Sequence, residues 1–247
     1  LGLAGRTEAD LVAGTELGFA FTETRVLDAA ATIDVENVCG LWPGSDPVLG
    51  NEVILVTAHY DHLGTRNGVV SNGADDNGSG TCGLLALAEA LHEYGPLRRS
   101  VLIMWVAGEE KGLWGSRAWT ASPWLPGGRR ALCDLNIDMI GRNAPDELMI
   151  TPTRDRDEYN ALVKLAEKLA PLEGFPKLGS ADAYYTRSDH YNFAKKGIPA
   201  AFLFSGEHAD YHQPTDDPEK IDYDKVHRVV RLVFRVLASL QDDQTGL

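Results

Sequence analysis

Basic residues are scarce in this chain, 23 lysines and arginines against 36 aspartates and glutamates, for a formal net charge of -13. No basic cluster exceeds a pair or two, so neither nucleic acid nor an anionic membrane surface is an expected partner. No apolar run approaches the roughly 18 residues that span a bilayer, and no membrane insertion is expected. Cysteine is sparse as well: Cys39, Cys82 and Cys133 are scattered, with no CxxC spacing. Cys82 and Cys133 lie in or beside apolar runs and are expected to be buried free thiols. One disulfide with a thiol left over stays open, and the count does not settle the compartment. There is no Gly-x-Ser-x-Gly elbow and no cysteine in a nucleophile context, which argues against serine or cysteine hydrolysis. Repeats and low-complexity segments are missing, and the sequence, which starts at Leu1, shows no signal peptide, as either a processed protein or an excised domain would.

What is there suits one α/β domain with a sizeable core: 247 residues, 44% hydrophobic and 24% charged. Residues 1–21, with three glycines before Thr15, are expected to be a separate N-terminal segment, the stub of a preceding or inserted domain. Residues 22–247 would form the main domain, beginning with two antiparallel edge strands between Thr22 and Leu41. Apolar runs predict strands at 52–58, 101–106, 131–137 and 198–204, with a shorter one at 148–150. Helical spacing predicts helices from about Leu84 to Tyr94, Leu113 to Ala121, Asp157 to Ala170 and Tyr223 to Leu240. Ser188 is placed to cap a short helix ending at Ala194. The stretch between His62 and Gly73 reads as a Gly- and Asn-rich loop, and 173–187 as irregular. Strands alternating with helices predict a three-layer α/β/α domain around a central mixed, mostly parallel sheet.

Acids and histidines recur where strands end. Glu109 and Glu110 follow the run Val101–Val106, and two adjacent carboxylates there are costly unless something positive holds them. His59, Asp138 and His212 also follow apolar runs, and Asp76 stands in a Gly-rich loop. In open α/β sheets, ligands gather outside the carboxyl ends of strands. A set of two histidines and three carboxylates suits zinc or a similar first-row dication. Three ligand carboxylates and a free one carry about four negative charges, which two dications would balance.

The motifs Ala58-His59-Tyr60-Asp61-His62, Gly73-Ala74-Asp75-Asp76-Asn77-Gly78-Ser79-Gly80, Gly108-Glu109-Glu110-Lys111-Gly112-Leu113-Trp114-Gly115-Ser116, Asn136-Ile137-Asp138-Met139-Ile140-Gly141, Ser188-Asp189-His190 and Tyr211-His212-Gln213-Pro214 occur in this order. Together they resemble the M28 family of co-catalytic zinc metallopeptidases, of the aminopeptidase Y and bacterial leucyl aminopeptidase type. The resemblance runs from about Asn37 to the final helix. It implies a zinc-exopeptidase (phosphorylase/hydrolase-like) fold and two Zn2+ ions, exchangeable for other divalent metals. His59 and Asp138 would hold one ion, Glu110 and His212 the other, and Asp76 would bridge them. Asp61 would orient His59 by accepting its other ring N–H. Glu109 would be the general base toward a metal-bridging water, and Tyr211 would donate to the oxyanion. Arg187 would help bind substrate, and Asp189 would be an acid behind the ligands. A cis peptide bond is implied at Asp76–Asn77.

His62 and His208 match no ligand role and read as bystanders, His190 reads as structural, and Asp75 as a loop residue. Phe193, Tyr184, Tyr185 and Trp114 are candidate walls for the substrate side chain. The expected substrate is a peptide with a free N-terminus, its amine among Glu109 and Asp138. The resemblance also implies export to the periplasm or cell exterior; it leaves the oligomeric state open. Competing readings are a single-zinc glutaminyl cyclase, a carboxypeptidase or dipeptidase on the same scaffold, and a receptor-like module that has lost its metals. Retention of every ligand position and of Glu109 speaks against the last.

Overall fold

The computed structural model describes residues 20–27, for which only the backbone is considered, and residues 34–241. The expected N-terminal segment 1–21 lies outside the described residues except for its last two positions, which open the first strand. The strands are β1 (Ala20–Leu27), β2 (Asp34–Trp42), β3 (Glu52–His59), β4 (Gly64–Arg66), β5 (Val69–Ser71), β6 (Ser100–Val106), β7 (Arg130–Asp138), β8 (Leu148–Thr151), β9 (Leu178–Ser180) and β10 (Ala200–Phe204). The α-helices are α1 (Gly80–Tyr94), α2 (Trp114–Ala121), α3 (Ala161–Leu169), α4 (His190–Ala194) and α5 (Tyr223–Ser239).

Eight strands form one mixed sheet in the order β1-β2-β6-β3-β7-β10-β8-β9. Its centre, β6-β3-β7-β10, is parallel, with antiparallel partners at β2 and β8. Those four strands are near-continuous apolar runs because both faces are covered. Ile54, Val56, Ile103 and Ile137 face α1, α3 and α5 through Leu84, Leu87, Val163, Val229 and Val233. The alternate residues Val53, Leu55, Leu102 and Met104 face α2 and α4 through Trp119 and Phe193. The period-2 alternation of strand side chains thus builds two cores and three layers.

Several local expectations change. Asn67-Gly68, with φ of 52° and 78°, closes the hairpin β4–β5 inside the stretch read as a loop; both residues positive in φ is the type I′ signature. Helix α3 starts only at Ala161, because the Asn160 side chain accepts the N–H of Val163 and caps it there. Within 173–187, Leu178–Ser180 adds the parallel edge strand β9. Ser188 does not cap α4; its hydroxyl donates to Asp138 Oδ2 at 2.9 Å instead. Cys82 is exposed rather than buried, whereas Cys39 and Cys133 are buried, and all three are free thiols. Burial pushes the Cys39 thiol up to about 12.

Candidate metal-binding active site

All the sites at which acids and histidines recur lie along one rim, at the carboxyl ends of the parallel strands. His59 is the last residue of β3 and Asp138 the last of β7. Their side chains meet there, His59 Nε2 lying 3.3 Å from Asp138 Oδ1. The imidazole is aimed by its other nitrogen, Nδ1, which is 3.0 Å from the backbone carbonyl of Asp61. The Asp61 carboxylate is farther, at 3.7 Å. It is engaged elsewhere, accepting the backbone N–H groups of Glu109 at 3.1 Å and Glu110 at 3.2 Å. Orientation of His59 therefore runs through the Asp61 main chain, while its side chain fastens the two-glutamate loop to β3.

The Asp76 loop is clamped by its neighbours. Asn77 donates to the Ile137 carbonyl at 3.1 Å and accepts from the N–H groups of Gly80 at 2.9 Å and Met139 at 3.2 Å. Asp75, read as a loop residue, is fully buried and accepts the Gly141 N–H at 2.6 Å. The peptide bond Asp76–Asn77 is cis. So held, Asp76 presents Oδ1 to His59 Nε2 at 3.3 Å and Oδ2 to His212 Nε2 at 3.1 Å. One carboxylate thus touches both histidines.

The two-glutamate loop is bracketed by Asn37 on β2, which accepts from Ala107 N at 3.0 Å and donates to the Gly115 carbonyl at 2.9 Å. Gly115 is needed for that closure, since a Cβ there would come within 2.2 Å of Asn37 Oδ1. Glu110 Oε2 reaches His212 Nε2 at 3.3 Å, and Glu110 Oε1 reaches His62 Nδ1 at 2.9 Å. His62, read as a bystander, therefore belongs to the site. Among the described residues, His59, Asp76 and Asp138 form one group able to hold a metal ion, and His62, Asp76 and Glu110 a second.

A small open cavity lies beside these groups and is lined by Asp76, Glu109, Asp138, Arg187, Tyr211 and His212. Its apolar wall is Met139, Tyr184, Phe202 and Phe204. Of the four expected wall aromatics only Tyr184 is there. Phe193 is buried against Trp119, with ring centroids 5.5 Å apart, and Tyr185 packs on His190 at 5.5 Å. Trp114 does not line the cavity; it lies over Gly108 and Gly112. Arg187 donates to the Tyr211 hydroxyl at 3.2 Å and to Glu207 at 2.8 Å. Asp189 is fully buried and accepts from the Ser116 hydroxyl. His190 sits away from the cavity, stacked on Phe202 at 4.8 Å.

Electrostatics mark the site as short of positive charge. Burial, reinforced by Asp138, Asp189 and Glu110, pushes Glu109 up to about 10. Burial raises Asp189 to about 7 and also raises Asp138. Burial works against a charged His59, but Asp138, Asp61 and Asp76 together hold it well above its ordinary range. Asp76 goes the other way despite its burial, held low by the imidazoles of His212 and His59 that stand against it.

Four supporting residues were given no role from the sequence: His62, set aside there, and Asn77, Glu207 and Asp216. His62 and Asn77 stand inside motifs that were recognised, and Asp216 lies two residues beyond one, after Pro214. For Glu207, only its position one residue before His208 could have drawn notice.

The sequence profile of peptidase family M28 matches residues 37–237. A probable leucine aminopeptidase of Arthroderma otae is 29% identical over 197 residues, which is 76% of this chain and 54% of the relative. A solved zinc aminopeptidase from Bacillus subtilis aligns with a TM-score of 0.69 at 25% identity, over 87% of this chain and 52% of that one. A glutaminyl cyclase from Porphyromonas gingivalis reaches 0.72 at 20% identity, over 90% and 84% respectively, a likeness of fold alone. The chain spans about half the length of the first curated relatives it matches.

Proposed function

Because the chain belongs to peptidase family M28, we propose that it is a di-zinc exopeptidase of the aminopeptidase type, hydrolysing the N-terminal peptide bond of peptides. The observation that carries this reading is the Asp76 carboxylate, met by His59 at 3.3 Å on one oxygen and by His212 at 3.1 Å on the other. The residues fit such ions. Asp76 Oδ2 and Glu110 Oε1 are buried without a hydrogen-bond partner, and mixed imidazole and carboxylate donors are what zinc takes. His59 and Asp138 would hold one ion, Glu110 and His212 the other, with Asp76 shared. When bound, the pair would polarise the scissile carbonyl and lower the pKa of water.

The chain's own groups do the rest. Glu109, on the cavity wall, takes the proton of the attacking water and delivers it to the leaving nitrogen. Burial first and the neighbouring carboxylates second push it up; cations held beside it would offset the carboxylates and bring it back toward the range of a working base. Tyr211 donates to the oxyanion; the Arg187 guanidinium can only donate to it, so its own O–H proton stays available. The substrate amine sits among Glu109 and Asp138. Its first side chain faces Met139, Tyr184, Phe202 and Phe204, which suits an apolar residue. Export to the periplasm or cell exterior belongs to the same proposal. Among the described residues no helix is long and apolar enough to cross a membrane.

The test joins an anomalous-scattering map at the zinc edge to turnover of an aminoacyl-nitroanilide before and after chelation. Two ions and chelator-sensitive hydrolysis are expected. One ion together with cyclisation of an N-terminal glutaminyl peptide would instead favour the cyclase. Turnover of neither substrate would leave a binding module.

A further inference from the structure

We propose that His62 is a ligand of the second metal ion, so that Glu110's site carries two imidazoles where the His59 site carries one. The inference rests on the two-metal reading above and adds to it a residue outside the five matched ligands. His62 lies three positions beyond His59, on the segment leaving β3. Its side chain is 9% exposed, and Nδ1 stands 2.9 Å from Glu110 Oε1 and 3.9 Å from Asp76 Oδ2. Short as the first contact is, neither ring nitrogen forms a hydrogen bond among the described residues. Glu110 Oε1 and Asp76 Oδ2, also buried, have no hydrogen-bond partner either. Buried polar atoms are rarely left unpaired. When one nitrogen and two carboxylate oxygens converge without hydrogen-bonding one another, what satisfies all three is a cation between them. His62, Asp76 and Glu110 accordingly offer ligand atoms within 4.8 Å of one another.

The ring is also held in place. Gly73, at φ +61°, passes so close that a Cβ on it would lie 2.5 Å from His62 Cγ. The glycine lets the backbone press on the imidazole where any side chain would push it away. His212 approaches the ring edge-on, with centroids 5.9 Å apart. His212 is itself 35% exposed, so the more buried of the two imidazoles is the one that the motif resemblance leaves without a role. A donor set richer in nitrogen favours zinc, cobalt and copper over magnesium and manganese. The two sites are therefore unequal, and the Glu110 site retains its ion longer during chelation.

The test titrates metal-free wild type, His62→Ala and His62→Gln with Co2+, read by visible absorption, and with Zn2+ against a chelating dye. Matching thermal unfolding of the metal-free forms checks the fold. The expected result is that both variants bind one of the two ions about 10- to 100-fold more weakly, with a changed Co2+ spectrum and an unaffected second ion. Two ions bound by both variants with wild-type affinity and spectrum would overturn the role of His62 alone. A wild type that takes up no second ion would overturn the two-metal reading, and this inference with it.

Discussion

Asp216 Oδ2 accepts the backbone N–H of Asp76 at 3.1 Å, across 140 residues of sequence. The same oxygen takes the N–H of Asp75 at 3.0 Å. A fully buried carboxylate thus supports the main chain from which the proposed shared metal ligand, Asp76, projects. Removing it in Asp216→Ala leaves two buried donors unpaired, at about 1–3 kcal/mol each. We expect chemical denaturation to show a loss of roughly 2–4 kcal/mol on that basis, and metal titration to show weaker binding. Asp216→Asn, whose amide oxygen still accepts, should recover most of the stability.

Glu109 and Asp76 should fail in different ways. Glu109→Gln keeps the volume and leaves the ligand groups untouched, so metal content and unfolding temperature should stay at wild-type values. Turnover should fall by about 10²- to 10⁴-fold, the usual range for a lost general base. Asp76→Asn should lose metal first and activity as a consequence. Equal metal loss in both variants, measured by elemental analysis, would contradict the division of roles.

Tyr211→Phe removes the proposed oxyanion donor while keeping the ring that stacks on His212 at 3.8 Å. A fall in kcat of about 10²- to 10³-fold with little change in KM is expected. Arg187→Ala, which takes away the guanidinium contact that positions the hydroxyl, should show a smaller loss of the same kind. A change confined to KM in both variants would assign the pair to substrate binding instead.

His190 sets an acid limit on the fold. Fully buried between Tyr185 and Phe202, it is pulled down to about 3 by its burial. The unfolded chain has an ordinary histidine there and binds the proton more readily. Stability therefore rises with pH between about 3 and 6.5 and is lost as the pH falls through that window. The slope from this one group is about 1 kcal/mol per pH unit. His190→Phe should flatten the dependence of unfolding temperature on pH between 4 and 6.5; an unchanged slope would mean that other groups dominate.

The five positions expected to hold metal were readable because each follows a recognisable local signal. His59, Glu110 and Asp138 close apolar runs that could only be buried strands, and a strand's direction dictates which end carries the loops. Asp76 stands in a Gly-rich turn opening a helix, and His212 comes shortly after β10. The same logic failed where local signals compete. Ser188 has the chemistry of a helix cap, but its hydroxyl is taken by Asp138, a partner 50 residues away. Asp157 and Glu158 suit a helix start, yet Asn160 caps α3 two residues later and overrides them.

By itself, then, the order of apolar runs and turn residues determined the three layers, the parallel centre of the sheet and the rim where the chemistry gathers. Periodicity records which side of an element is buried, and that is a property of neighbours in the chain. Only the tertiary structure decided what stands behind and beside the groups proposed to bind metal. Asp216 under Asp76, Asn37 around the glutamate loop and His62 against Glu110 are all contacts between loops or strands distant in sequence, whose spacing follows no period. Such side chains acquire a role when burial strips away water and leaves them one partner within reach, and a linear sequence does not show which partner that is.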